Sequence, residues 1–458
     1  MRRAEPLTNS GQDECTGSAS KEVPQAGHTE FVGDIPPECD IADGAHVLIV
    51  SRDQSYLTHG IHKFPAKFFP ELPRYLILRF SEPGETVLDP MCGSGTVVLE
   101  SVLNRRTGLG IDIDSMALLI SKVKTTPIHP DLLDSSSSAL SRRIAACMED
   151  TEFRPEIPRF PYRDRWFKPH VLQELALVRS CILGLPEYDA DLNSQSWPDL
   201  RRFLQVAMSS IIRGVSNADP HCTRTVIRKN LAKDIRPGDA VTAFLDALSK
   251  QCQAMKDLWA VYQESEGWDA RLLNADATKT GLADDSVSLA VTSPPYINAV
   301  DYPRTHQLEM YWLGHLGEGP LSDVKRNYIG TETVYKSEYS ELRESGLSSL
   351  DPLLEEIYDT DPRRSYIVFR FFQEMEDQLR ETWRVLEPGG RYCIAIGNNV
   401  IRGVLVKSHE TLAEIAQERI GFELERVFFS KIIRHFIRIP RRERMLGEWV
   451  LILRKPRL

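Results

Sequence analysis

The chain has 458 residues, 42% hydrophobic and 26% charged, which allows two to three ordinary globular domains with buried cores. Its eight cysteines (15, 39, 92, 147, 181, 222, 252 and 393) are scattered, with no Cys-x-x-Cys pair and no zinc-spaced Cys/His cluster; this speaks against a disulfide scaffold or a metal site and fits a reducing compartment. No run of 18 apolar residues and no signal-peptide core occur, so a cytoplasmic protein without a membrane span is expected, and at a net charge of −9 any phosphate-facing surface has to be local.

Residues 1–45 are rich in Ser, Gly, Pro, Asp and Glu and read as a disordered leader, with order expected from His46-Val47-Leu48-Ile49-Val50. From Thr58 helix and strand signals alternate, which predicts an α/β fold: a mostly parallel sheet with helices on both faces. A helix over Pro70–Phe80 precedes a strand over Thr86–Leu88. A glycine loop then feeds a helix from Gly95 to Asn104, and a second strand, Thr107–Ile111, ends at Asp112. These elements make 46–128 the first piece of a core domain.

Residues 129–267 change character. Helical spacing at Val171, Leu172, Leu175, Val178 and Ile182, and again from Leu200 to Ile212, reads as a helical insertion. Strand signals resume at Ala270–Leu273 and Ser288–Val291 in a second core piece, 268–312. A polar stretch over 313–365 reads as a second insertion or loop. The third core piece, 366–458, carries a helix over Phe369–Leu386, a strand over Arg391–Ile396, and a terminal antiparallel hairpin from Phe422–Lys431 and Glu448–Leu453. Between Leu424 and Leu458, ten Lys/Arg stand against three Glu, a basic strip suited to phosphates.

The glycine loop is Asp89-Pro90-Met91-Cys92-Gly93-Ser94-Gly95-Thr96, directly after the apolar stub Val87-Leu88. Glycines at 93 and 95 permit a sharp strand-to-helix turn and a close approach of ligand to bare backbone. The third glycine of a dinucleotide fingerprint is missing, and so is the Gly-Lys-Ser/Thr of a phosphate cradle. A loop without lysine and headed by an acid suits a ligand that lacks phosphates and carries a cationic amine; S-adenosylmethionine is such a ligand. Asp112, about 20 residues beyond the loop at a strand end, is placed to accept both ribose hydroxyls, with Asp114 as its competitor. A lone Asp is more often a cap or a turn residue, but acids at the ends of three successive strands (Asp89, Asp112, Asp276) favour ligand binding.

The second motif is Ser293-Pro294-Pro295-Tyr296, after the apolar strand. An exocyclic amine of cytosine or adenine is a poor nucleophile because its lone pair is delocalised into the ring. Ser293 Oγ and the Pro294 carbonyl can accept its two N–H bonds and localise that lone pair. Pro294 and Pro295 fix the backbone, so the acceptors need little reorganisation. Tyr296 offers a face on which an extruded base can stack. Methyl transfer would then be a direct in-line displacement. Carbon-5 methylation requires a thiolate, and no Pro-Cys dipeptide occurs; Cys92 reads as a small apolar residue of the loop.

Together the two motifs resemble the S-adenosylmethionine-dependent DNA amino-methyltransferases, specifically the Ser-Pro-Pro-Tyr subgroup that methylates N4 of cytosine. The resemblance implies a Rossmann-like methyltransferase sheet and S-adenosylmethionine as cofactor. It also implies double-stranded DNA as partner, a cytoplasmic location at the nucleoid, and membership of a restriction-modification system with a separate cognate endonuclease, or of a solitary modification system. It assigns Asp276 to the adenine amine and Phe64-Pro65-Ala66-Lys67 to closing the methionine end of the pocket. Adenine N6 is the runner-up target and an RNA base the third; a catalytically silent DNA- or partner-binding protein is the account from another class.

The insertion departs from the family pattern by preceding Asp276 instead of the catalytic motif, so sequence reading, backbone contact and dimerisation all stay open for 129–267. Within it, Arg159-Phe160-Pro161-Tyr162-Arg163-Asp164-Arg165-Trp166-Phe167-Lys168 interleaves stacking and phosphate-seeking residues, or else supplies aromatic anchors to the core. Arg224, Arg228 and Lys229 form a second basic cluster. Tyr302, Arg304 and His306 border the base pocket in this reading.

Overall fold

The computed structural model describes residues 29–187, 195–228, 233–297, 300–316, 321–431 and 446–457. In chain order the strands are β1 (Thr29–Val32), β2 (His46–Val50), β3 (Thr86–Asp89), β4 (Thr107–Asp112), β5 (Ala270–Asn274), β6 (Val287–Thr292), β7 (Leu386–Ile396), β8 (Asn399–Ile401), β9 (Val404–Val406), β10 (Glu423–Lys431) and β11 (Gly447–Arg454). All except the β8–β9 pair join one nine-stranded sheet in the order β1-β2-β10-β11-β7-β6-β3-β4-β5. Every neighbouring pair is parallel except those made by β11, antiparallel to both β10 and β7. The expected mostly parallel α/β sheet with a terminal antiparallel hairpin is the observed one.

The helices are α1 (Glu71–Phe80), α2 (Thr96–Leu103), α3 (Ser115–Thr125), α4 (Pro130–Glu149), α5 (Arg163–Trp166), α6 (Pro169–Leu183), α7 (Trp197–Val215), α8 (Asp239–Gln263), α9 (Tyr302–Thr305), α10 (Gln307–Leu313), α11 (Leu321–Lys325), α12 (Asp351–Thr360), α13 (Pro362–Val385) and α14 (Ser408–Glu414). Strand side chains alternate between two apolar layers, as the period-2 geometry of a strand buried on both faces requires. Tyr392, Ile394 and Ile396 of β7 pack with α12, α13 and α14, whereas Cys393 and Ala395 pack on the opposite face with α1. Helices α4, α6, α7 and α8 share a third apolar cluster with Leu99 and Val102 of α2 and Met116 and Ile120 of α3. The helices of the insertion are therefore packed onto those that flank the glycine loop. Among the described residues no helix is long and apolar enough to cross a membrane.

Three expectations are corrected. The segment 29–45 is not leader: β1 pairs with β2, and Ile35 and Ile41 are buried against α1. Few apolar residues suffice there because they add to a core that already exists; residues 1–28 lie outside the described part. The polar stretch 313–365 contains α11 and α12 as well as the start of α13, with Leu347, Leu350, Leu354 and Ile357 buried in the sheet's core. In the basic strip, Arg426 pairs with Asp40 at 2.6 Å, Lys455 with Asp285 at 2.7 Å, and Arg454 with Glu423 and Glu425, so these three serve the fold. Arg434, Arg438, Arg441, Arg442 and Arg444 lie outside the described residues.

Candidate active site

From β3 the chain builds β4 and β5 on one side and then returns to lay β6 on the other side of β3. The carboxyl ends of β3 and β6 thus flank the point where the strand order reverses, the place where an open parallel sheet leaves a crevice. A cleft of about 860 Å³, its open mouth included, lies there and takes walls from both ends. Thr292, the last residue of β6, donates a 2.7 Å hydrogen bond to Asp89, the last residue of β3.

Of the glycine loop, Asp89, Pro90, Met91, Cys92, Gly93, Ser94 and Thr96 line the cleft. Gly95 does not; it caps α2 in the left-handed region at φ 75°, and a Cβ there would sit 2.5 Å from Ser121 Oγ. The turn is therefore closed to any other residue. Gly93 N donates to Asp112 Oδ2 at 2.8 Å, and Ser121 Oγ donates to Gly93 O at 2.8 Å, so β4 and α3 hold the loop in place. Burial raises the Cys92 thiol, which keeps it a neutral wall residue.

Asp112 lines the cleft, and its second oxygen accepts from Asp114 N at 2.8 Å. Asp114 lines the cleft as well, and its Oδ1 caps α3 through Met116 N and Ala117 N. Burial pushes both Asp89 and Asp112 up to about 7. An ionised carboxylate in such a place needs donors, and ribose hydroxyls or an amino group supply them. Asp276 also borders the cleft; its Oδ1 accepts from Thr278 N and Thr278 Oγ1, both at 2.8 Å, so a turn fixes its carboxylate.

In the closing segment, Phe64, Ala66 and Lys67 line the cleft, and Pro65 does not. Phe64 stacks on Tyr302 (ring centroids 5.6 Å apart) and on His306 (5.1 Å). Tyr302 itself lines the cleft, while His306 is buried and held neutral, with burial pushing it down to about 3. Lys67 Nζ donates to the carbonyls of Gln54 (2.7 Å) and His59 (3.2 Å).

Ser293 and Pro295 line the same cleft, 200 residues beyond Gly93 in sequence, whereas Pro294 and Tyr296 are not among its wall residues. The Tyr296 ring packs against the sheet's core cluster, and its phenol donates to Glu448 at the start of β11. Sequence reasoning missed several neighbours. Asn327, Tyr328 and Ile329 cover the cleft from the polar stretch, where the adjacent apolar pair Tyr328-Ile329 is the one local signal. Ile113 and Ala117 complete the wall beside Asp112. Lys124, fully buried at the end of α3, donates to Ser94 Oγ at 3.2 Å, and burial holds its ammonium well below the ordinary lysine range.

The aromatic and basic stretch of the insertion divides. Phe160 stacks on Tyr311 at 5.0 Å, and Phe167 is buried against Trp312, so both are anchors. Tyr162 is 70% exposed, with Arg165 over its ring. Arg228 pairs with Asp219 at 2.7 Å and Arg224 with Glu332 at 3.4 Å; Lys229 lies outside the described residues.

Residues 46–123 match a family model of the N6/N4 methyltransferase kind, described as DNA methylase. Over 378 residues the chain is 23% identical to the Type II methyltransferase M.MvaI of Kocuria varians, covering 78% of this chain and 81% of that protein. It is 22% identical over 427 residues to the Type II methyltransferase M.BsoBI of Geobacillus stearothermophilus, covering 81% and 80% respectively. A shorter match, 29% over 173 residues, joins it to the Type II methyltransferase M.AvaI of Anabaena variabilis, covering 34% and 35%.

Proposed function

Since the chain is a relative of the S-adenosylmethionine-dependent DNA amino-methyltransferase family, we propose that it methylates the exocyclic N4 amine of cytosine in double-stranded DNA, by base flipping and direct displacement. The observation that carries this reading is the single cleft bordered by Asp89 and Asp112 on one side and Ser293 on the other. When bound, S-adenosylmethionine supplies an electrophilic methyl group on a sulfonium. Asp112 would hold its ribose, the backbone at Gly93 its amino-acid end, Asp276 its adenine amine, and Phe64 and Lys67 would close over it. The apolar and acidic lining suits such a ligand, and the loop's lack of a phosphate-binding lysine matches its lack of phosphates.

For the base, Ser293 Oγ and the Pro294 carbonyl would accept the two amine hydrogens; the expected stacking by Tyr296 is dropped, because its ring packs against the sheet's core outside the cleft wall. Serine in place of aspartate at the head of the tetrapeptide favours cytosine over adenine, by likeness to the Ser-Pro-Pro-Tyr subgroup. The helical segment 129–267 would contribute to DNA recognition, and a cognate endonuclease would be a separate chain. The test is to incubate the full chain with labelled S-adenosylmethionine and unmodified DNA, then hydrolyse to nucleosides. Label in N4-methylcytosine is expected. Label in 6-methyladenine would overturn the choice of base, and label in RNA but not in DNA would overturn the choice of nucleic acid.

A further inference from the structure

An exocyclic amine that accepts a methyl group becomes cationic and has to lose a proton. Serine is far too weak a base to keep that proton, so a Ser-Pro-Pro-Tyr site needs a route away from Ser293. The structure contains a chain of groups suited to it. Ser293 borders the cleft three residues before Tyr296, near enough that its side chain opposes the rise that burial imposes on the Tyr296 phenol. The phenol in turn donates to Oε1 of Glu448, a residue 152 positions later in sequence and on the antiparallel strand β11.

The directions follow from donor and acceptor chemistry. An ionised carboxylate only accepts, so the Tyr296 hydrogen points at Glu448. The Tyr296 oxygen is then free to accept from Ser293 O–H. That leaves the Ser293 lone pairs facing the cleft, where the amine must donate. Two strand ends of opposite direction are needed to build this line: β6 delivers Ser293 and Tyr296 at its carboxyl end, and β11 delivers Glu448 at its amino end.

We infer that Ser293, Tyr296 and Glu448 form a proton relay that carries the amine proton out of the cleft, with Glu448 as its terminal acceptor. The inference rests on the amino-methyltransferase reading. In the step, the amine lone pair forms the new N–C bond while the C–S bond breaks and its electron pair returns to sulfur. One amine N–H proton passes to Ser293 Oγ, the Ser293 hydrogen to Tyr296 Oη, and the Tyr296 hydrogen to Glu448 Oε1. Glu448 ends as a neutral acid, and serine and tyrosine are regenerated. Burial raises Glu448 above the ordinary glutamate range, and the Tyr296 hydrogen bond opposes that rise. A raised carboxylate is the better final acceptor. Across the sheet Glu448 faces Ser430 of β10, while His46 of β2 and His409 of α14 pack on the adjoining Trp449.

The test compares wild type, Glu448→Gln and Tyr296→Phe for label transfer into unmodified genomic DNA at saturating S-adenosylmethionine and DNA. Glutamine keeps an oxygen to accept from Tyr296 but cannot take a proton at neutral pH. Phenylalanine keeps the ring and removes the shuttle. Each is expected to slow transfer about 100-fold, the scale of a lost general base, and the double variant should be no slower than either single one. The wild-type rate should rise with pH through the Glu448 ionisation, and that acidic limb should vanish in Glu448→Gln. Calorimetric affinity for S-adenosylmethionine should stay at the wild-type value in all variants. Infrared carboxyl titration of the free proteins should show a raised acid that disappears in Glu448→Gln. A Glu448→Gln protein with wild-type rate and wild-type pH profile would overturn the relay alone. A wild-type protein that labels no amine in DNA would overturn the underlying reading and the relay with it.

Discussion

The Thr292 hydroxyl donates a 2.7 Å hydrogen bond to the Asp89 carboxylate and so ties together two strand ends that lie 203 residues apart in the chain. Both residues are buried, and Asp89 lines the cleft. Thr292→Val keeps the shape and removes the donor, which leaves a buried carboxylate short of a partner. A loss of about 1–3 kcal/mol of stability is expected by urea denaturation. Cofactor affinity should weaken in parallel, and Thr292→Ser should restore both.

Asp89 and Asp112 make the cleft pH-sensitive. Burial pushes each from 3.8 up to about 7, so between those values the folded chain holds more protons than the unfolded one. Their contribution to stability is full below the unfolded value and is lost as pH rises through about 7. The ionised forms are the ones that accept hydrogen bonds from a ligand. S-adenosylmethionine should therefore bind more weakly as pH falls from 8 to 6, and its thermal stabilisation of the protein should shrink over the same range. Asp112→Asn should flatten both dependences. A pH-independent affinity in wild type would contradict the placement of these acids at the ligand.

Glu100, fully buried in α2, accepts from His59 Nε2 and Arg74 Nε, both at 2.8 Å, and from the Tyr56 phenol. Burial would raise its carboxyl, but the His59 and Arg74 bonds outweigh that and hold it below the ordinary range; burial takes His59 down to about 4, so it donates as a neutral ring. The network anchors the turn that leads into the closing segment. Glu100→Ala is expected to cost about 3 kcal/mol, the lower end for a broken buried pair because Arg74 keeps Asp34 and is 20% exposed. Chemical denaturation measures the loss, and cofactor affinity should fall with it.

The stretch from Arg159 to Lys168 can be dissected by two substitutions with opposite signatures. Phe160→Ala removes a buried ring and should cost about 3 kcal/mol of stability. Tyr162→Ala touches an exposed ring and should leave the melting temperature within error. If this surface meets DNA, as proposed for the insertion, Tyr162→Ala should weaken DNA binding about tenfold, the value of one stacking contact. Unchanged affinity in a salt-matched titration would remove the stretch from the interface.

Tyr328 comes from a segment without a motif, yet it lies over the cleft beside Asp112 and Asp114. Tyr328→Ala should raise the dissociation constant for S-adenosylmethionine about tenfold, the worth of one good contact. The slowest-changing readout should be overall stability, since the side chain is only half-buried. Titration calorimetry on the free protein checks both statements.

The glycine loop, Asp112, Asp276 and the Ser-Pro-Pro-Tyr motif are legible in the sequence because their constraints are local. A left-handed turn needs glycine, two prolines stiffen a carbonyl, and an acid at a strand end follows directly from the strand's own residues. The alternation of helix and strand signals likewise disclosed the sheet, and two apolar runs near the end its terminal hairpin. Residues 29–45 and the helices within 313–365 are poorly legible because their few apolar side chains complete a core instead of forming one. The basic strip looked like a surface for phosphates, yet Arg426, Arg454 and Lys455 are spent on acids brought in from distant segments.

What the sequence by itself determined is thus the pair of motifs on which the proposed function rests: a glycine loop without a phosphate-binding lysine, and a proline-stiffened tetrapeptide after an apolar strand. That they share one cleft was decided by the strand order, which returns β6 to the flank of β3. The same order set Glu448 against Tyr296, Thr292 against Asp89, and Tyr328 over the opening. Such contacts leave no local trace, because hydrogen bonds and packing between distant segments depend on where the backbone passes and not on what precedes them in the chain.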